Sequence, residues 1–483
     1  MSKPTVAVIG AGPGGIAMGI QLAAGGFDFT VFERGAGFGG TWRNNTYPGA
    51  ACDVPSHFYS YSFALNPRWS RTYADQPEIL AYLEQVAVER GLAEHLVADT
   101  RVTELRWSDQ THRWTVTTAA GVRQEFDVVV SAVGMLDVPT IPDFPGADRF
   151  RGRTFHTSQW DHATSTAGQR VASIGTGASA IQYVPAIAAD TAHLTVFQRT
   201  PTWVGPRFEE VFTDEQLELF EREPDAALKL RDKAFQDYEL ADFDVESDIT
   251  RYLTKISKGY LYAEIADPDL RTRLLPDHPV GCKRPLSSTG WFAALALPHV
   301  HVETSPIVEF TERGLRTADG AEHEVDTVIY GTGFAASDYL STLEVTGRGG
   351  RRLHDDWADG AEAYLGTAVP GYPNLFTLYG PNTNGVTSII YILEAQTEFV
   401  RRMLDDMVDR GAAAVEVGRS VTDAFNAEIQ RAMADTVWMS NCNNYFRHAS
   451  GKNVTQFPYR GTAFAERLAA VSPDDFLWTP PTH

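Results

Sequence analysis

Twice in this chain a short β-branched run leads into a glycine-rich loop, an apolar helical stretch and a second strand, and this repeat limits the fold more than any other feature. Residues 5–9 run into Gly10, Gly12, Pro13, Gly14 and Gly15, the pattern 16–24 predicts a helix, and the strand 29–32 ends at Glu33. The glycines of such a βαβ unit permit a tight turn and bring backbone N–H groups close to a pyrophosphate at the helix N-terminus, while the acid suits a ribose diol. The second copy runs from 170–174 into Gly175, Thr176, Gly177, Ala178 and Ser179, and its next strand, 194–197, closes on Gln198, Arg199 and Thr200. Arginine in place of the acid favours a ribose carrying a 2′-phosphate, hence NADPH over NADH. A solvated surface arginine is the competing reading.

Both copies end alike, at 127–134 and 326–333, each after a turn-punctuated stretch with the alternation of a β-meander. The predicted class is α/β, with two tandem Rossmann-like dinucleotide-binding domains and a helical insertion. The expected boundaries are 1–145 for the first part of the FAD-binding domain and 150–206 for the first part of the NADP-binding domain. An acid-rich helical insertion at 207–283 follows, then the second part of the NADP domain at 284–375 and a return to the FAD domain at 379–483. Most of the insertion's charge reads as a solvated face, with aromatics such as Phe235 or Tyr238 as candidates for a substrate entrance.

At 483 residues the chain is long enough for two or three compact units. A formal net charge of −21 repels polyanions and argues against nucleic acid and acidic membrane surfaces as partners. Cys52, Cys282 and Cys442 are far apart, with no C-x-x-C, no zinc spacing and no disulfide framework, so no metal site is expected and a reducing cytoplasm is favoured. The early strand leaves no room for a leader, and no apolar run approaches transmembrane length.

Two long patterns carry a family resemblance. Residues 150–161 read F-x-G-x-x-x-H-x-x-x-W-D, with Phe150, Gly152, His156, Trp160 and Asp161 at the fixed positions. Residues 39–53 read G-G-T-W-R-N-N-T-Y-P-G-A-A-C-D. Both resemble fingerprints of the type I Baeyer-Villiger monooxygenases, flavoproteins that insert one atom of O2 beside a ketone carbonyl. The resemblance implies FAD and NADPH as cofactors and a small ketone as substrate, converted to ester or lactone through a C4a-peroxyflavin. It places Gly40, Thr41, Trp42, Tyr59 and Val102 along the FAD and Gln182 at the second nucleotide, with Asp53 an active-site carboxylate near the flavin. The segment G-C-K-R-P at 281–285 resembles the stretch holding the family's catalytic arginine, which assigns Arg284 to catalysis and Lys283 to the nucleotide. Phosphate binding by Arg284 is the alternative. His156 and Trp160 are implied to couple nucleotide binding to domain rotation, outside the substrate pocket.

The resemblance weakens near the C-terminus: the family often has a tryptophan near the nicotinamide, where this chain reads N-N-Y-F-R at 443–447. The C-terminal active-site contacts, the particular ketone and the choice between monomer and homo-oligomer stay open. A flavin-containing monooxygenase acting on soft nitrogen or sulfur usually has Tyr or Phe where this chain has Trp160, and lacks the Lys-Arg segment. A disulfide oxidoreductase would need paired cysteines near the flavin. From another class, a redox-sensing flavoprotein would bind partners without oxygenating anything.

Overall fold

Each glycine loop sits at the carboxyl end of the central strand of a five-stranded parallel sheet, in a computed structural model that describes residues 3–240, 244–385 and 387–481. The first sheet has the order Leu375–Thr377, Val128–Ser131, Val6–Ile9, Phe29–Phe32, Leu96–Val97. The second runs Val300–Glu303, His193–Phe197, Arg170–Ile174, Thr327–Tyr330, Arg153–His156. Val6–Ile9, Val128–Ser131 and Thr327–Tyr330 are buried along their whole length, as strands covered on both faces must be.

The pseudo-repeat extends to individual hydrogen bonds. Gly10 N donates to Phe32 O at 2.8 Å and Gly175 N to Phe197 O at 3.0 Å; Ala132 N donates to Ile9 O at 2.8 Å and Gly331 N to Ile174 O at 2.9 Å. Gly10 (φ +105°) and Gly175 (φ +109°) each press against the carbonyl that follows the last strand, so a Cβ would lie 2.7 Å from Ala132 O or 2.4 Å from Gly331 O. Side chains are excluded there both by backbone dihedral and by space.

Each unit carries its antiparallel meander, Val102–Ser108 with Arg113–Thr118 and Arg123–Phe126 in the first, and Ile307–Phe310 with Gly314–Thr317 and Glu322–Glu324 in the second. The expected bounds of the later segments need correction. Glu344–Thr346 pairs with the first unit's strand Val102–Ser108, and Leu375–Thr377 is an edge of the first sheet, so the chain returns well before 379. Local pattern cannot show such a return, because the pairing partner lies more than 200 residues upstream. The outermost bounds, at residues 1, 2, 482 and 483, fall outside the described residues.

The insertion is helical, with Asp214–Arg222, Pro224–Glu239, Asp248–Glu264 and Pro268–Leu274; residues 241–243 of that stretch lie outside the described residues. Thr213 starts the first helix with a reciprocal capping box to Gln216, and pairing of Val204–Gly205 with Leu286–Ser287 closes the insertion at its base. The long helix Ile389–Arg410 then lies on the helix that follows the first glycine loop: Arg401 Nη1 donates to Gln21 O at 3.1 Å, and a Cβ on Gly14 would meet Leu393 at 3.1 Å. No helix among the described residues is long and apolar enough to cross a membrane.

His57 marks where the insertion packs on the first unit. Its ring is 3 % exposed between Phe212 and Phe220, at centroid distances of 5.5 and 5.2 Å, and its Nε2 has no partner among the described residues. Burial pushes its pKa down to about 4. The unfolded chain therefore takes up a proton near pH 6.5 that the folded chain refuses, and stability falls as pH drops between these values. We expect this group to remove about 2 kcal/mol between pH 7 and pH 5. Denaturant unfolding of the wild type and His57→Gln at both pH values checks it: the variant should lack that increment of pH dependence.

Candidate active site

A cavity of about 1480 Å3 runs between the two glycine loops, larger than the range of about 300–1,000 Å3 that suits one small ligand. From the first unit Gly10, Gly12, Pro13, Gly14, Glu33, Gly40, Thr41, Trp42, Asp53, Tyr59 and Val102 line it. From the second come Gly175, Thr176, Gly177, Ala178, Ser179, Gln182, Arg199 and Thr200, joined by Lys283 and Arg284. Among the residues expected in a nucleotide site, Gly15 alone lies behind the wall, where its Cβ would fall 1.9 Å from Gly10 O; its absence of side chain lets helix and loop close together.

The donor sets suit dinucleotides. Both loops end at a helix N-terminus, Pro13–Ala24 and Ala180–Ala188, where unpaired N–H groups and the helix dipole favour an anion. Gly12 and Gly40 meet, since a Cβ on Gly40 would lie 2.7 Å from Gly12 Cα, whereas a Cβ on Gly177 would meet nothing within 4 Å. The space beside the second loop is thus open for a ligand. Glu33 accepts from Ala11 N at 2.8 Å and Gly35 N at 2.7 Å, so its carboxylate also fixes the first loop. Trp42 Nε1 donates to Tyr59 OH at 2.9 Å. Gln182 is tied across the cavity to the first unit, accepting from Tyr47 OH and donating to Ala51 O, both at 2.9 Å.

Where the units meet, Arg284 grips Asp53 bidentately: Nε donates to Oδ2 at 2.9 Å and Nη2 to Oδ1 at 2.8 Å. The arginine side chain is 40 % exposed, into the cavity that it lines, and the Asp53 charge raises its pKa further above the ordinary arginine value. Tyr238 OH donates to Asp53 O at 3.3 Å. On the nucleotide side of the same segment, Lys283 Nζ donates to Thr200 Oγ1 at 2.7 Å; burial, and after it the Arg199 charge, lowers its pKa.

Tyr47, Tyr238, Tyr379 and Tyr445 also line the cavity wall. Tyr238 was a candidate within the insertion and lines the wall, whereas Phe235 packs against Phe58 and Tyr391 instead. Tyr379 sits at φ +52°, an unusual value for an aromatic residue, and hydrogen-bonds Asn384. Tyr445 occupies the region where the sequence departs from the family pattern, and it lines the cavity beside Arg284.

The cysteine reading needs correction. Cys282 and Cys442 form a disulfide, with their Cα atoms 6.4 Å apart across a sequence separation of 160, and only Cys52 is free. No spacing rule detects a pair so distant, and the cysteine count therefore carries no inference of a reducing compartment. Neither bonded sulfur belongs to the cavity wall, and no group of three or more His, Cys, Asp or Glu suited to a metal occurs among the described residues.

None of Phe150, Gly152, His156, Trp160 and Asp161 lines the cavity. Ser158 N donates to His156 Nδ1 at 3.2 Å, which assigns the ring proton to Nε2, donating to Gly333 O at 3.0 Å; burial lowers the ring's pKa. Trp160 packs on Phe155 and Tyr183. Gly152 is pressed between Phe150 and Asp326 O, and Asp161 accepts from Ala163 N and Arg153.

A sequence model of the pyridine nucleotide-disulphide oxidoreductase family matches residues 7–212. The chain is 42 % identical over 473 residues to a Baeyer-Villiger monooxygenase of Streptomyces coelicolor, covering 96 % of this chain and 91 % of the relative. It is 40 % identical over 459 residues to a Baeyer-Villiger monooxygenase of Pseudomonas aeruginosa, covering 94 % and 87 %. Among solved structures it is similar to an oxidised steroid monooxygenase bound to NADP (30 % identity, TM-score 0.87, 99 % of both chains). It is also similar to cyclohexanone monooxygenase from Rhodococcus sp. Phi1 bound to NADP+ (28 %, TM-score 0.90, 99 % of both) and to an OTEMO complex with FAD and NADP (27 %, TM-score 0.90, 99 % of this chain and 100 % of that one).

Because the fingerprint residues lie behind the wall, His156→Ala and Trp160→Ala should slow turnover of every substrate by a similar factor, about tenfold or more. Steady-state rates over a substrate panel check this. A changed ranking with the best rate preserved would make these residues pocket walls instead.

Proposed function

This chain belongs to the Baeyer-Villiger monooxygenases, and on that premise we propose which of its residues carry each part of the reaction. It is an FAD-dependent oxidoreductase that oxidises ketones with NADPH. The observation that carries the assignment of roles is the bidentate Asp53–Arg284 pair, set in a cavity with a dinucleotide loop at either end. Gly10, Gly12, Pro13, Gly14, Gly40, Thr41, Trp42, Tyr59 and Val102 would hold FAD along the first unit, with Glu33 at its ribose. Gly175, Thr176, Gly177, Ala178, Ser179, Gln182 and Thr200 would hold NADPH on the second, with Arg199 and Lys283 at the 2′-phosphate. FAD, when bound, supplies the acceptor for the nicotinamide hydride and the centre at which O2 is activated.

The protein's own contribution on the substrate side is positive charge in a fixed place. Oxygen transfer to a ketone concentrates negative charge on oxygen, and a planar, permanently charged guanidinium stabilises it better than a mobile ammonium group. Asp53 accepts from Nε and Nη2 along one edge of that fork, which orients the guanidinium while it stays protonated. Hydride delivery needs only stacked rings and a bound phosphate, so this charge is required in one half of the cycle alone. Product analysis after incubation with NADPH, O2 and a mixed panel of cyclic, aliphatic and aryl ketones tests the reaction and identifies the accepted class.

Removing the Arg199 guanidinium takes away charge-assisted bonds to the 2′-phosphate. Arg199→Ala should raise the KM for NADPH by about 10- to 100-fold, with NADH little changed; equal effects on both cofactors would refute the phosphate role.

Arg284→Ala should retain FAD and be reduced by NADPH at close to the wild-type rate, yet lose ester formation by at least about 100-fold and release hydrogen peroxide instead. Asp53→Ala should move in the same direction, less completely. Stopped-flow absorbance with parallel ester and peroxide assays reads all three quantities, and near-normal ester formation by the arginine variant would shift the role to Lys283.

A further inference from the structure

We propose that the Cys282–Cys442 disulfide is a positioning clasp for oxygen transfer: it holds the segment bearing Arg284 against the C-terminal loop bearing Tyr445, and reduction by a dithiol loosens the substrate side of the cavity. The proposal rests on the role given above to Arg284.

The bond joins two segments that meet beside the cavity, behind its wall. Cys282 is two residues before Arg284, and Cys442 is three before Tyr445, which lines the wall and lies close enough for the Arg284 charge to act on its phenol. Within the loop, Asn444 Nδ2 donates to Trp438 O at 3.0 Å, Phe446 N to Asn444 Oδ1 at 3.1 Å, and Arg447 to Cys442 O. Its far end is anchored where Phe446 O accepts from Val454 N at 3.2 Å and Thr455 Oγ1 at 3.3 Å, and the disulfide ties its near end to the segment bearing Arg284. Besides the sulfurs, Gly281 touches Val437, where a Cβ would come within 2.8 Å of the valine side chain. That contact fits surfaces together, whereas the covalent bridge, with its Cα atoms 6.4 Å apart, keeps both segments within the roughly 4.4–6.8 Å that a disulfide spans.

Neither sulfur lines the cavity, so the pair is given a positioning role and no redox step with the flavin. Reduction needs an external dithiol. One of its thiolates attacks a sulfur and displaces the other as a thiolate; the second dithiol thiol then resolves the mixed disulfide. Two electrons and two protons pass from the dithiol to the cysteines, leaving two thiols and one cyclic disulfide. Cys442, 9 % exposed against 0 % for Cys282, is the less enclosed end for the attack. Misplacement of a catalytic group by about 1 Å is enough to slow a step severely, whereas the two glycine loops do not depend on the clasp.

The test uses holoenzyme purified without reductant. Alkylation after denaturation, followed by peptide mass mapping, should label Cys52 alone; after treatment with dithiothreitol it should label all three cysteines. At saturating NADPH, dithiothreitol-treated and desalted enzyme should keep its rate of flavin reduction while its ester yield per NADPH falls by at least about threefold, and oxidised glutathione should restore the yield. Cys282→Ser/Cys442→Ser should behave like the reduced enzyme and ignore dithiothreitol; if that variant does not fold, the reduction and reoxidation cycle of the wild type decides. Labelling of all three cysteines in untreated holoenzyme, or equal yields before and after reduction, overturns the proposal. Arg284→Ala separates it from the reading on which it rests. If that variant makes no ester, the arginine's role holds; if it does make ester, that role fails, and a yield still lowered by dithiothreitol keeps the clasp.

Discussion

The active site depends on an ion pair that neither dinucleotide unit could form alone. Asp53 leaves the first unit on a loop whose neighbour, Cys52, lends its carbonyl to Arg207 Nη2 at 3.1 Å, and Arg207 itself stacks over Tyr73 at 4.8 Å. Tyr238, from the insertion, holds the Asp53 carbonyl. Arg284 arrives from the segment that ends the insertion. A partly exposed ion pair adds little net stability, because screening weakens the attraction and holding two side chains in one geometry costs entropy. Its worth here is positional: the carboxylate and guanidinium interlock only when the first unit, the insertion and the second unit are docked in one arrangement.

What the sequence made legible follows the reach of each interaction. Loop, helix and strand of a βαβ unit lie within about thirty residues, so the glycines, Glu33 and Arg199 could be read locally, and all of them take part in the loops and wall described above. The long patterns at 39–53 and 150–161 carried the family. By contrast, the early return through Glu344–Thr346, the bond from Cys282 to Cys442 and the tie from Gln182 to Ala51 join residues between 131 and 240 positions apart. Only folding brings these together. Tyr445 is intermediate: the departure from pattern was visible at 443–447, but its place beside Arg284 required the structure.

Charge distribution shows why so acidic a protein can take anionic cofactors. The chain carries 62 acidic and 41 basic residues, yet Arg34, Arg101, Arg199, Lys283 and Arg284 all line the cavity. Arg34 pairs with Asp137 and Arg284 with Asp53. Arg199 and Lys283 form no salt bridge among the described residues, and the arginine's charge helps depress the lysine's affinity for its proton. Two like charges held together against their mutual repulsion are a local conflict in the free protein, of the kind that a bound dianion resolves.

Three consecutive residues concentrate these demands. Cys282 is bonded to the C-terminal loop, Lys283 reaches Thr200 just beyond the strand His193–Phe197 of the second unit, and Arg284 grips Asp53 of the first. Backbone geometry allows no independent movement of neighbours over more than a fraction of an ångström without a change in φ or ψ. A displacement of Lys283 therefore acts on the same short backbone that sets the arginine's direction. Lys283 and Arg284 are linked by one peptide bond, so a shift of either reaches the other without a chain of intermediates through the core.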